Sequence, residues 1–128
     1  MSLSSMTDAA PMIAVIDDDP SVREALQELL RSARYRARTF PSAEAFLAAM
    51  DPHDFACLVA DVHLPGMSGV ALVRELVKSG KSMPTLLITA RDDARTRELV
   101  RTVGAVPHLN KPFSDAAFFE VVGRLCSR

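Results

Sequence analysis

Five times between residues 12 and 127 a short β-rich run gives way to a stretch with helical spacing, and no other feature restricts the fold so tightly. "MIAVID" (residues 12–17) is a continuous apolar run, as expected of a strand covered on both faces. "PSVREALQELLRSA" then sets Val22, Ala25, Leu26, Leu29 and Leu30 at helical spacing, with Asp19 placed to cap and Pro20 at the first helical position. "YRARTF" alternates and reads as an edge-like second strand, after which Ser42 can cap "AEAFLAAM". "ACLVAD" (residues 56–61) is a third strand, and "VALVRELVKSG" is a helix closed by Gly80 at the C′ position. "MPTLLITA" is a fourth strand, and residues 92–103 form a helix of irregular periodicity. "AVPHLN" is a fifth strand weakened by Pro107, and "SDAAFFEVVGRLCS" is a last helix with Phe118, Val122 and Leu125 on one face. Such alternation implies an α/β chain with one parallel sheet, right-handed crossovers and helices on both faces. In these sheets the working groups lie at the C-terminal ends of the strands. Here those ends carry Asp17, Asp18, Asp61, Thr89 and, just past the fifth strand, Lys111.

Composition removes several function classes. At 128 residues, 48% apolar and 24% charged, the chain has the size and make-up of one globular domain rather than of a disordered or fibrous segment. A net charge of -1 supplies no basic field, so we expect this chain itself to bind neither nucleic acid nor anionic lipid. Apolar runs such as "TLLITA" are far shorter than the roughly 20 residues of a membrane span. "MSLSSMTDAAP" lacks a secretory pattern and reads as a flexible leader, residues 1–11, ahead of a domain at 12–128 in a cytoplasmic protein. Cys57 and Cys126 have no metal-ligand spacing and are expected as reduced, small apolar core residues.

Carboxylates crowded at adjoining strand ends repel one another unless protons or a cation intervene. Oxygen-only ligation favours Mg²⁺, or Mn²⁺, over zinc. Lys111 and Thr89 supply an ammonium and a hydroxyl suited to the oxygens of a tetrahedral anion. Taken singly, each acid reads as a helix cap, Lys111 as a solvated side chain and Thr89 as a strand residue. Jointly they describe a phosphoryl site in which a carboxylate can be the nucleophile. Asp19 falls outside that set and is assigned to capping.

"VIDDDPSVR", "ACLVADVHLPGMSG", "TLLITA" and "HLNKPF", in this order over residues 12–127, resemble the signature stretches of response-regulator receiver domains in two-component signalling. The resemblance implies a flavodoxin-like, doubly wound five-stranded sheet in the order 2-1-3-4-5. It also implies that Asp61 is the phosphoacceptor, that Asp18 ligates Mg²⁺ directly and that Asp17 acts through a metal-bound water. The backbone carbonyl of His63 would complete the protein ligands. Thr89 would bond one phosphoryl oxygen and Lys111 another, with the Lys111–Pro112 bond often cis. The donor would be the phosphohistidine of a sensor histidine kinase or phosphotransfer protein. The chemistry would be self-catalysed, with no external product, so the chain would not be an enzyme in the ordinary sense. Phosphorylation would switch the surface of the fourth helix, fifth strand and last helix, with a second copy as a further candidate partner.

Two departures from the family pattern stand out. Three positions before the lysine, where Tyr or Phe is usual, stands His108, which we expect still to act with Thr89 as the switch and to make it pH-sensitive. His63 and Arg91, two after Asp61 and two after Thr89, flank the path of hydrolytic water in relatives and are expected to tune dephosphorylation, by shielding or by orienting water. "LPGMSG" and "NKPF" look most like receivers of the nitrogen-fixation type, which precede DNA-binding domains, and this favours a longer regulator. Among the rest, Phe113, Phe118 and Phe119 read as core, Arg95, Arg97 and Arg101 as a solvated face, and His53 as surface loop.

Three rival readings fit the residues less well. A haloacid-dehalogenase-type phosphatase also uses two acids spaced as Asp17 and Asp19, but it leaves Asp61 without a purpose. A flavin mononucleotide carrier would meet acids where phosphate must sit. A degenerate receiver used only for docking normally lacks part of the site, and here every part is present.

Overall fold

The alternation read from the sequence is realised element for element in a computed structural model, which describes residues 10–49, 51, 54–104 and 106–127. In chain order the elements are β1 (Met12–Ile16), α1 (Pro20–Ser32), β2 (Arg36–Phe40), α2 (Ala43–Ala49), β3 (Cys57–Asp61), α3 (Gly69–Lys78), β4 (Thr85–Thr89), α4 (Ala94–Arg101), β5 (His108–Asn110) and α5 (Asp115–Cys126). The strands are all parallel, in the order β2-β1-β3-β4-β5, which puts the alternating β2 at an edge. Residues 1–9 of the expected leader lie outside the described residues, as do His53, Met50 and Ala105. Ala10 and Pro11 accept hydrogen bonds from the Arg36 side chain and backbone N–H, at 2.8 and 2.9 Å, beside β2.

Cap chemistry sets most helix starts. Asp19 accepts from the Ser21 N–H at 2.8 Å, and Ser42, Ser68 and Ser114 each accept at 3.0 Å from the N–H three residues on. Gly80, at φ 70°, ends α3: its N–H reaches the Val77 carbonyl and that of Lys81 reaches Leu76, the paired bonds of a left-handed C-terminal cap. Two boundaries differ from the sequence reading. The fourth helix is shorter than residues 92–103, because the Asp93 carboxylate accepts the Thr96 N–H at 2.7 Å and so leaves Asp92 outside. The fifth strand begins only at His108, since Pro107 has no N–H for the ladder, although its carbonyl accepts from Leu87 at 3.0 Å.

Every residue of β3 and β4 is buried, yet alternate side chains sort cleanly to two sides. Ala14, Ile16, Leu58, Ala60 and Leu87 face α2, α3 and α4, packing with Phe46, Val70, Leu72, Leu76 and Val100. Ile13, Val15, Cys57, Val59, Leu86 and Ile88 face α1 and α5, packing with Leu26, Leu30, Phe118, Val122 and Leu125. Phe118 is wholly buried between the flanking rings of Phe113 and Phe119, which are only partly covered. Burying a side chain of that size contributes about 1.5–3 kcal/mol. Arg95, Arg97 and Arg101 are exposed, Arg97 pairing with Asp92 and Arg101 with Glu98 at 3.0 and 3.1 Å.

Register then fixes what meets at the C-terminal edge. Ile16 pairs with Ala60, Asp61 with Ile88 and Thr89 with Asn110, so Asp17, Asp61, Thr89 and Lys111 end four adjacent strands at one level.

Candidate functional site

At that edge the carboxylate oxygens of Asp17, Asp18 and Asp61 come within 4.8 Å of one another. Asp17 is 1% exposed and Asp61 9%, whereas Asp18 opens to solvent. Each carboxylate in the wall is held. Asp17 Oδ1 accepts the Asp19 N–H at 2.9 Å, and Asp61 Oδ1 accepts the His63 N–H at 2.8 Å. Lys111 Nζ donates to Asp17 Oδ2 at 3.1 Å and reaches Asp61 Oδ2 at 3.5 Å. Burial alone would lower the lysine's pKa, but the hydrogen bond and charge of Asp17, followed by those of Asp61, outweigh it and hold Lys111 above the usual lysine value. The Lys111–Pro112 peptide is cis.

Three carboxylates facing one ammonium leave an excess of negative charge, in a donor set made only of oxygen. That set suits a hard divalent cation such as Mg²⁺, which commonly binds through one or two carboxylates together with a phosphate. The strand end itself is tightly backed. A Cβ at Gly69, the first residue of α3, would overlap the Asp61 carbonyl and crowd Leu87, so only glycine lets the helix start so near the strand.

Around the acids lie the remaining candidates. Thr89 is buried at 1% exposure, and its hydroxyl is turned into its own loop, accepting from the Arg91 N–H at 3.0 Å and donating to the Arg91 carbonyl at 3.3 Å. Its backbone carbonyl accepts from the Lys111 N–H at 2.7 Å, tying the hydroxyl-bearing strand to the lysine. His63 is half-buried, Arg91 exposed and His108 exposed on β5.

A model of the response regulator receiver domain family matches residues 13–123. The chain belongs to this family. Among curated relatives, the transcriptional regulatory protein FixJ of Azorhizobium caulinodans is 41% identical over 110 residues, 86% of this chain and 52% of that protein. The response regulator protein TmoT of Ectopseudomonas mendocina is 36% identical over 86% of this chain and 50% of its own length. The receiver thus spans about half the length of the curated relatives it matches. Among solved structures, a response regulator receiver protein from Burkholderia phymatum superposes with a TM-score of 0.77 at 38% identity, covering 91% of this chain and 95% of that one. The crystal structure of FixJ-N gives 0.81 at 32% identity, covering 92% and 94%. Likeness to nitrogen-fixation regulators and the flavodoxin-like order 2-1-3-4-5 therefore both hold. No helix among the described residues is long and apolar enough to cross a membrane.

Within the receiver, the structure gathers Asp17, Asp18, Asp61 and Lys111 into one cluster and sets Thr89 beside it, bonded to Arg91. Asp19 is the helix cap and stands outside the cluster. Three contacts have no signal in the sequence. Arg23 Nη1 donates to the Asp17 carbonyl at 2.7 Å, from the first turns of α1. His63 Nε2 meets the Thr96 hydroxyl at 3.0 Å, linking the loop after β3 to the buried side of α4. Glu44 Oε2 accepts the Met67 N–H at 3.0 Å, pinning the same loop to the start of α2.

Proposed function

We propose that residues 12–128 act as one receiver domain, in the cytoplasm, that takes a phosphoryl group onto Asp61 from the phosphohistidine of a sensor histidine kinase or phosphotransfer protein. The observation that carries this reading is the meeting of three carboxylates within 4.8 Å at one sheet edge, with Lys111 bridging two of them. Asp17, Asp18, Asp61 and the His63 backbone carbonyl would hold Mg²⁺ or Mn²⁺, Asp18 directly and Asp17 through water. When bound, the ion neutralises the charge gathered between the acids and the phosphoryl oxygens.

The chain's own groups do the rest. The His63 N–H fixes Asp61 Oδ1, and Lys111 lies on the Oδ2 side, where it can take a phosphoryl oxygen. A carboxylate oxygen bonds to phosphorus as the P–N bond breaks, and the electron pair returns to the donor's imidazole. An apolar groove lined by Val22, Ala25, Leu26, Pro112 and Phe113, with Lys111 at its edge, offers the donor protein a landing surface. Hydrolysis reverses the state: water attacks phosphorus, and the acyl phosphate releases the carboxylate. His63 and Arg91 flank that route and set the lifetime.

Phosphorylation adds about 1.5–2 negative charges. Thr89 then leaves Arg91 for a phosphoryl oxygen, His108 follows from its exposed position, and the surface of α4, β5 and α5 changes affinity for its partner, a second copy included. The FixJ-type relatives are described as transcriptional regulators, so the output we favour is control of transcription through a DNA-binding segment of a longer protein.

Incubation with a small phosphodonor tests the reading by intact mass. One phosphoryl adduct should form with Mg²⁺, disappear under chelation and be missing from Asp61→Asn. Beryllofluoride, a stable phosphoryl mimic, should bind the wild type in the same Mg²⁺-dependent way. Neither adduct nor beryllofluoride binding would leave only a docking module.

A further inference from the structure

We propose that Arg23 is a positioning residue for the cation site: by holding the peptide between Asp17 and Asp18 it aims the Asp18 carboxylate and so sets the affinity for Mg²⁺. This role rests on the reading of the three acids as a divalent-cation site. Arg23 Nη1 donates to the Asp17 carbonyl at 2.7 Å, a short bond with a charged donor.

The need for that bond follows from where the sheet stops. Along β1 and β2 alternate residues carry the ladder: the Arg36 N–H reaches the Pro11 carbonyl at 2.9 Å, and the Asp17 N–H reaches the Phe40 carbonyl at 3.2 Å. The same register would bring the Ser42 N–H to the Asp17 carbonyl, but the chain turns there into α2, with the Ser42 hydroxyl capping it at the Ala45 N–H. Among the described residues no backbone N–H takes its place. A carbonyl between two adjacent acids is thus left to a side chain. Arg23 makes the first backbone bond of α1, its N–H on the Asp19 carbonyl, and helical side chains lean toward the N-terminus, so it reaches back over the loop.

Asp17 has other anchors, the Asp19 N–H on Oδ1 and Lys111 on Oδ2. Asp18 has none. Its carboxylate is exposed and no group among the described residues donates to it, so its direction depends on its backbone, whose preceding peptide oxygen is the one Arg23 holds. Nor is Arg23 a counter-charge in contact with the acids: among the described residues their ion pairs belong to Lys111. The two roles predict opposite signs. A cation near the site repels a second one, so a purely electrostatic Arg23 would weaken Mg²⁺ binding and its removal would tighten it. If Arg23 aims Asp18, its removal weakens binding, and partners that orient a metal ligand usually account for about 10–100-fold in affinity.

Isothermal titration of the purified full chain with Mg²⁺ alone reads the sign. Arg23→Met, which keeps the apolar stem and removes the guanidinium, should bind Mg²⁺ more weakly by about tenfold or more. Arg31→Met, which removes the same charge from the exposed last turn of α1, should bind as the wild type does. Phosphorylation from a small phosphodonor should show the matching split: the Mg²⁺ concentration for half-maximal rate rises by the same factor, while the rate at saturating Mg²⁺ stays near that of the wild type. Melting in chelator checks that the variant folds; should Arg23→Met fail, Arg23→Gln, neutral, polar and shorter, carries the same expectation. Unchanged or tighter binding in the variant, an equal loss in Arg31→Met, or a lowered saturating rate at unchanged affinity would each overturn the proposal. A wild type that takes up no Mg²⁺ would instead remove the cation site itself, and the role of Arg23 with it.

Discussion

Replacing Asp18 by Asn should make the metal-free protein more stable, and the size of the gain follows from the cluster. Unit charges 4.8 Å apart in water repel by about 0.9 kcal/mol, and water is the right medium for Asp18, the exposed member of the three. Asp17 and Asp61 each contribute one such repulsion. Lys111 bonds those two acids and not Asp18, so its attraction offsets only part of the sum, and salt screens more. The net gain is about 1 kcal/mol, or about 3–6 °C in melting temperature for a chain of this size. Added Mg²⁺ should reverse the order. At ten times its dissociation constant it stabilises the wild type by about 1.4 kcal/mol, whereas the variant has lost a ligand and gains less. Differential scanning calorimetry with chelator and with Mg²⁺ reads both effects. An Asp18→Asn protein that melts lower without metal, or that responds to Mg²⁺ as the wild type does, would refute the idea that the acids are strained against one another for want of a cation.

Other parts of the structure are open to equally direct tests. Gly69→Ala should cost about 1–3 kcal/mol, because the new Cβ meets the Asp61 backbone, and it should slow phosphorylation by moving the acceptor; chemical denaturation and adduct kinetics would show both. Phe46→Ala, which removes the wholly buried ring packed on Phe40 and Phe55, should cost about 3–5 kcal/mol by urea denaturation. Glu44 is held below the usual glutamate value chiefly by the Met67 N–H, so its contribution is present above its unfolded pKa and is lost as pH falls through the folded one. The melting-temperature gap between wild type and Glu44→Gln should therefore narrow in acid, and a gap independent of pH would contradict the assignment. Thr96→Val removes the hydroxyl that His63 meets and should change the lifetime of the phosphoryl adduct by several-fold; an unchanged lifetime would show that this contact has no part in tuning.

What could be read from the chain and what could not divides along a physical line. Local chemistry was legible: Asp19, Ser42 and Gly80 do at the helix ends what their short polar or absent side chains predict. So was the convergence of Asp17, Asp18, Asp61 and Lys111, because parallel strands joined by helices must bring their C-terminal ends together. Where two residues of one kind compete, the sequence was silent. Asp92 and Asp93 are equally good caps on paper, and only the bond to Thr96 chooses. Strands buried throughout, such as β3 and β4 with their unbroken apolar centres, carry no alternation to say which side α1 and α5 cover. Contacts between distant segments, such as His63 on Thr96 and the Met67 N–H on Glu44, depend on register and helix docking, which no spacing encodes. The family match over residues 13–123 weighs against the phosphatase rival, and the geometry agrees with it, since Asp19 turns to the helix and Asp61 joins the cluster.

The most direct test of the central claim is chemical trapping of the acceptor. After reaction with a small phosphodonor and Mg²⁺, borohydride reduces an aspartyl phosphate to homoserine, and peptide sequencing then reports its position. The account predicts homoserine at residue 61 and at neither residue 17 nor residue 18, with none formed under chelation. Homoserine at residue 17 would instead make the first acid the nucleophile and return the phosphatase reading to the front.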